Sequence, residues 1–311
     1  MLPKLEEFLL SLQVNNFSPE TIYNYECDLK VFSNFLKDEV KIEFLRVSKQ
    51  SIEHYKGYLA SRDRKTPEGK PANIYLSSYS RNRYLSSLRS YLKYLIEMDQ
   101  PVPIAPDSIK LIKTEKKLKK VAELKDLIRL IEYPSEIEKK NQLVAKRNRA
   151  MLEVLFSTGL RISELVGLNK NQIDNEGKIF VMGKGKKERF VYLTPRAIKH
   201  VKIYLAARGD DLPHLFINYR GSRVPTKNRS VSTNYLQEKI KKYRELLGIN
   251  VPTSAHSLRH GFATYLAESG ANPAAIQILL GHESLDTTTR YVHASQKFAK
   301  ESHQKFHPLK D

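Results

Sequence analysis

HSLRHGFATYLAESGANPAAIQILLGHESLDTTTRYVHAS, residues 256–295, sets the reading of the whole chain. In forty residues it places His256, Arg259, His260, His282, Arg290, Tyr291 and His293, with no cysteine and few carboxylates. These are anion-seeking groups, and the run leads to a tyrosine. Arg259 follows His256 by three residues, so one helical face presents both. NPAAIQILLGH carries a further helix ending at a glycine, and His282 comes directly after it.

Two upstream segments add to this set. RNRAMLEVLFSTG reads as a helix closed by Gly159, the usual residue for a left-handed cap. LRISELVGL starts the next helix, with Arg161 expected in its first turn, its guanidinium and the orphan N–H groups aimed at the same anion. GKIFVMGKGKKERFVYLT reads as two short β-branched and aromatic runs around a Gly-Lys-Gly-Lys-Lys turn, a hairpin carrying Lys184. STNYLQEKIKKYRELLG is another helix. Glu164 is read as helix N-terminal charge in preference to an orienting partner for Arg161.

The first third is helical in pattern. SPETIYNYECDLKVFSNFLKDE opens with Ser18 as N-cap and Pro19 at the first helical position. Ile22, Tyr25, Leu29, Phe32 and Leu36 then recur at helical spacing. A second helix is expected over Lys49–Arg62, broken by KTPEGKPAN. A third, YSRNRYLSSLRSYLKYLIEMD, carries Tyr84, Leu88, Tyr91, Leu92 and Leu95 on one face. Arg81, Arg83, Arg89 and Lys93 are set on its other side, which is either a solvated face or a track for a DNA backbone. With Lys186 and Lys187 of the hairpin, these are the candidate DNA-binding residues. PVPIAP followed by KTEKKLKK marks a linker.

The formal net charge is +19 over 311 residues. Residues 1–112 hold 16 Lys/Arg against 14 Asp/Glu, whereas residues 113–311 hold 37 against 20. The excess is concentrated in the second part, and a polyanion is the partner that best matches it. An apolar fraction of 41% is enough for packed cores and excludes a disordered tail. A single cysteine, Cys27, excludes an internal disulfide and a cysteine zinc site, which fits a reducing, cytoplasmic setting. No apolar run approaches membrane-spanning length and no leader is visible. His256 and His260 at i, i+4 imitate a metal pair but lack the HExxH glutamate, so no metal and no cofactor are expected.

Two arginines, a lysine and two histidines around one phosphate, with a hydroxyl nucleophile, suit phosphodiester attack. Charge builds on the non-bridging oxygens, which guanidinium forks match bidentately. Histidines donate hydrogen bonds and move protons near neutral pH. A phenol with a pKa of about 10 must shed its proton as it attacks, and cations favour that. The sugar alkoxide is a poor leaving group and needs a general acid, for which a lysine on a hairpin turn is suited.

The run TGLRISEL, GKGKKER, HSLRHGFATYL and LLGHESLDTTTRYVH resembles the signature boxes of the tyrosine recombinase (phage integrase) family, in the order Arg, Lys, His-x-x-Arg, His, Tyr. The nearest group is the Xer-type site-specific recombinases, and SPETIYNYECDLKVFSNFL and RYLSSLRSYLKYL resemble its N-terminal domain, so the likeness spans nearly the whole chain. It implies a mainly α fold with a small β-hairpin and a two-domain, C-shaped DNA clamp. The expected division is an all-helical, SAM-like core-binding domain over residues 1–112, a basic linker over 113–120, and a mostly helical catalytic domain over 121–311.

It also implies roles. Arg161 and Arg259 clamp the scissile phosphate, His256 assists proton transfer from the tyrosine, and Lys184 protonates the leaving 5′-oxygen. His282 hydrogen-bonds the phosphate, and Tyr291 forms a 3′-phosphotyrosyl link. Implied partners are double-stranded DNA with paired inverted half-sites, and three further copies in a tetramer on two duplexes. The tail FAKESHQKFHPLKD would dock into a neighbouring copy, and a paralogous recombinase or a DNA translocase would be further partners. The implied function is chromosome or plasmid dimer resolution through a Holliday junction. The alternatives are an integrase of a phage or mobile element and a catalytically silent DNA-binding relative. Gly261, where Thr or Ser is commoner, and Arg290, where an apolar residue is commoner, depart from the pattern. His260 is read as structural and His293 as outside the chemistry.

Overall fold

The computed structural model describes residues 2–61, 63–65, 71–114, 121–183, 188–219 and 229–281. The chain divides into two units, Met1–Lys117 and Leu118–Asp311, each with its own core. No helix among the described residues is long and apolar enough to cross a membrane.

In the first unit, α1 (Leu5–Val14), α2 (Pro19–Asn34), α3 (Lys49–Ser61) and α4 (Ser78–Glu97) surround a core rich in leucine and aromatic rings. Ser18 caps α2 by accepting the Thr21 N–H at 3.2 Å, with Pro19 at the first helical position as expected. The helix then widens into a π-helical turn over Phe35–Val40. Leu29 and Phe32 are buried from α2, Leu36 from the π-helical turn, and Leu88, Tyr91, Leu92 and Leu95 from α4. Among the described residues this unit's regular structure is helical apart from a short antiparallel pair, β1 (Asp63–Lys65) against β2 (Pro71–Tyr75), where the sequence pattern gives only a break.

In the second unit, α5 (Leu124–Glu132), the single turn α6 (Pro134–Ile137) and α7 (Gln142–Thr158) come first. The five-residue α8 (Ile162–Val166), strands β3 (Lys178–Met182) and β4 (Glu188–Tyr192), and α9 (Pro195–Ala207) follow. Then come α10 (Thr233–Leu246), α11 (Ala255–Glu268) and α12 (Pro273–Leu280). The hairpin expected from residues 177–194 forms, with Lys178 opposite Tyr192 and Met182 opposite Glu188.

The centre of this unit is α7. It packs against α5, α6, α9 and α11, and Met151, Leu152, Val154 and Leu155 are buried in it. Even its polar residues turn inward: Arg147 donates to the Ile217 carbonyl at 2.7 Å, and Asn148 to the Tyr243 hydroxyl at 2.9 Å. A helix enclosed on this many sides gives whatever hangs from its end a fixed origin. Gly159 ends it with φ +63°. A Cβ there would lie 2.5 Å from Phe262 Cδ1, so glycine serves both the left-handed backbone and the close approach of α11.

Gly261 also sits at a close approach. A Cβ at that position would meet Leu127 Cδ1 of α5 at 3.0 Å and Val121 Cγ1 at 3.5 Å, so a larger residue there requires the Leu127 side chain to give by a few tenths of an ångström.

Candidate active site

Three arginines meet at the end of α7. Arg161 is the N-cap of α8, with extended backbone (φ −69°, ψ 149°), one position before the helical turn expected for it. Its own N–H donates to Glu164 Oε2 at 2.8 Å and its Nη1 to Glu164 Oε1 at 2.9 Å. The backbone donor that was expected to face an anion is therefore taken up by a carboxylate. The guanidinium is in a different position: the Arg161 side chain remains 37% exposed.

Glu164 does more than charge the start of a helix. It also accepts Arg189 Nη1 at 3.0 Å and Nη2 at 2.7 Å, so one buried carboxylate orients two arginines. The orienting role, set second in the sequence reading, is the fuller description. Burial pushes the Glu164 carboxyl up, but the bonds from Arg189 and from the Arg161 N–H outweigh it and hold it below the ordinary carboxylate range.

A group depressed in the folded state contributes stability above its unfolded value of about 4.3 and loses it as pH falls through the folded value. Glu164→Gln is expected to cost about 3–5 kcal/mol at pH 7, because it leaves a buried guanidinium uncompensated. Urea unfolding should show that gap narrowing as pH falls below the unfolded value and closing once the folded wild-type carboxyl is itself protonated. A gap of the same size in acid would contradict the ion-pair account.

Arg189 lies at 6% exposure on β4, and its Nε donates to the Leu279 carbonyl at 2.9 Å. Arg259, on α11, is 4% exposed and donates Nη1 to the Gly159 carbonyl at 2.6 Å and Nη2 to the Leu280 carbonyl at 2.7 Å. The bonds close a circuit: Arg161 to Glu164, Glu164 to Arg189, Arg189 to Leu279, then from Leu280 to Arg259 and back to Gly159. Guanidinium donors at the last carbonyls of α12 also satisfy groups that a helix leaves open at its C-terminus.

His256 stands in the first turn of α11, exposed, one turn before Arg259. Ser254 caps that helix through the Ser257 N–H at 3.2 Å. His260 is half-buried one turn further on. The structure thus brings Arg161 and Arg259 to one end of α7, with His256 on the same helix as Arg259. Lys184, Lys186, Lys187, His282, Arg290, Tyr291, His293 and the tail lie outside the described residues.

Arg189 was missed from sequence, though a signal exists. Along β4, Glu188, Phe190 and Tyr192 are exposed while Arg189 and Val191 are buried. A charged residue at an inward position of an alternating strand calls for a buried partner.

In the first unit, the basic residues of α4 do not form one stripe. Arg89 and Lys93 are a turn apart on one side, and Arg83 lies roughly a third of a turn away at 100° per residue. Arg81 is half-buried, in line with buried Leu88, and Lys93 is exposed. Arg83 Nη2 is 2.9 Å from Oδ1 of buried Asp28, whose other oxygen accepts the Ser87 hydroxyl at 2.8 Å. Arg89 Nη2 donates to Asp107 Oδ1 at 2.6 Å.

Comparison with known proteins agrees with this architecture. Residues 120–297 match the phage integrase family, and residues 5–98 match the phage integrase N-terminal SAM-like domain. The chain belongs to the phage integrase family. It is 34% identical to tyrosine recombinase XerC of Myxococcus xanthus over 320 residues, covering 98% of each chain. It is 31% identical to tyrosine recombinase XerD of Staphylococcus epidermidis, again over 98% of both. Within its family it is a tyrosine recombinase of the Xer type, a DNA strand-exchange enzyme. Its fold resembles that of the XerH site-specific recombinase bound to difH substrate (TM-score 0.69, 22% identity, 96% of this chain and 82% of the other).

Proposed function

We propose that the chain performs site-specific recombination by transesterification at Tyr291, and that it resolves chromosome or plasmid dimers in the cytoplasm. The observation that carries this is the hydrogen-bonded circuit. It ties Arg161 and Arg259 together at the end of α7, a helix enclosed by four others, and sets His256 a turn from Arg259.

In this reading the two guanidiniums bind the non-bridging oxygens of one phosphate. Two N–H donors of Arg259 go to backbone carbonyls, so these bonds fix the plane of its fork and the phosphate meets another edge. The Tyr291 hydroxyl oxygen attacks phosphorus as its proton passes toward His256. The P–O5′ bond breaks, and Lys184 supplies the proton that the departing oxygen takes. His282 adds a hydrogen bond to the phosphate. The phosphotyrosyl bond keeps the energy of the broken ester, so the reverse attack by a 5′-hydroxyl of the partner duplex rejoins strands through a Holliday junction without ATP.

Four copies on two duplexes with inverted half-sites complete the reaction, with the C-terminal tail as the link between copies and a paralogue or translocase as further partners. The excess of 37 Lys/Arg over 20 Asp/Glu in residues 113–311 supplies phosphate affinity. Likeness to XerC and XerD along nearly the full length supports this reading over a mobile-element integrase. On α4, exposed Lys93 is the simplest candidate for a backbone contact, while Arg83 and Arg89 would have to leave Asp28 and Asp107 or reach DNA with their remaining donors.

The test is the leaving group. Lys184→Ala should slow cleavage of an ordinary target duplex by about 10²–10³-fold, the usual cost of losing one positioned donor. On a duplex whose scissile 5′-oxygen is replaced by sulfur, which departs without a proton, the loss should nearly vanish. Equal losses on both substrates would remove Lys184 from the general-acid role.

A further inference from the structure

Arg189 costs the fold something at its position. In the hairpin it faces Val181, which is 3% exposed, and its inward neighbour Val191 is fully buried. An aliphatic residue would fill that register without desolvating a charge. Instead the guanidinium spends its bonds on the two oxygens of Glu164 and on the Leu279 carbonyl. Those are the partner of Arg161 and the carbonyl next to the one held by Arg259. The backbone at Gly281 passes directly over the arginine stem: a Cβ there would stand 3.0 Å from Arg189 Cδ, with φ +63°. Residue 189 therefore links one strand of the hairpin to the groups that hold both of the other arginines, reaching Glu164 and Leu279 across sequence separations of 25 and 90 residues.

We propose that Arg189 is a positioning residue for the strand-cleavage step: it fixes Arg161 through Glu164, and Arg259 through the Leu279–Leu280 carbonyls, at the spacing that one phosphate requires. This rests on the assignment of Arg161 and Arg259 as the phosphate clamp. Arg189 itself touches no reacting atom. An apolar side chain in its place would let the two clamps drift independently, and a displacement of about 1 Å is enough to cost roughly 10²-fold in rate.

The experiment is single-turnover cleavage with titration of active sites, on two duplexes. One carries the natural scissile phosphodiester. The other carries a methylphosphonate there, in which a methyl group replaces a non-bridging oxygen and removes the charge that the clamp neutralises. Arg189→Met should cleave the natural duplex about 10²-fold more slowly per active site, with DNA affinity within about 2-fold of wild type if the clamp is tuned for the transition state. On the methylphosphonate its deficit should shrink below about 10-fold, the sign that the loss ran through phosphate charge. Arg189→Lys, which keeps a cation but cannot span three acceptors, should fall between. The double variant with Glu164→Gln should be little slower than the worse single, because both break one chain of contacts.

Equal deficits of Arg189→Met on both duplexes, or a loss confined to the number of active sites with an unchanged rate constant, would overturn the proposal and leave Arg189 a folding residue. If Arg189→Met does not fold, Arg189→Lys is judged by the same substrate comparison. Arg161→Ala is the control. Relief of its defect on the methylphosphonate with none for Arg189 sinks this inference alone, and no relief for Arg161→Ala sinks the clamp assignment beneath it.

Discussion

Tyr291→Phe is expected to bind the target duplex as tightly as the unaltered chain and to form no covalent adduct with it. The substitution removes one oxygen, the atom that the proposed step transfers to phosphorus, and leaves every basic group in place. Affinity comes from phosphate neutralisation spread over the basic second unit, so one uncharged ring contributes little to it. Chemistry depends on the oxygen entirely. Gel shift and denaturing electrophoresis on the same samples separate the two quantities. Retained adduct in the variant would mean that another of the 17 tyrosines, or a different nucleophile, carries the reaction.

Arg161→Ala should give the next largest effect, about 10²–10³-fold in cleavage rate, equivalent to ~2.7–4 kcal/mol of transition-state stabilisation. Its side chain is the more exposed of the two clamp arginines, whereas Arg259 is enclosed and bonded to two carbonyls. Truncating Arg161 thus takes away a phosphate contact at modest structural cost, since Glu164 keeps its two bonds from Arg189. Truncating Arg259 would also release the Gly159 and Leu280 carbonyls, so rate and stability would fall together. Arg161→Lys should recover only part of the rate, because an ammonium is a point charge without the fork. Single-turnover rates and thermal melts of the three variants distinguish these outcomes. A full loss of folding in Arg161→Ala would contradict the division of labour between the two arginines.

What is legible in the sequence follows from range. Ser18 and Gly159 announce helix boundaries by local chemistry, and both stand where their side chains, or the lack of one, predict. The pairing of β3 with β4 likewise follows from a local pattern, two β-branched and aromatic runs on either side of a glycine- and lysine-rich stretch of sequence. The first helix, Leu5–Val14, has a weak sequence signal because exposed Leu10 and Val14 interrupt the contrast between its apolar and polar sides. The strand pair after α3 has no alternation to betray it. Arg161, His256 and Arg259 were legible as residue types in order. The bonds that organise them were not, since Arg259 reaches a carbonyl 100 positions away and Arg189 one 90 positions away. Short-range pattern cannot report such pairs. For the same reason Glu164 was underrated: its helix-start role is local, but its second arginine comes from a strand 25 residues on.

The most direct test is to locate the covalent bond. The chain is trapped on a nicked target duplex, both polymers are digested, and the peptide still carrying a nucleotide is sequenced by mass spectrometry. The account predicts a single modified peptide, with the 3′-phosphate on the hydroxyl oxygen of residue 291. A nucleotide on any other side chain, or none from protein that demonstrably occupies the DNA, would contradict it.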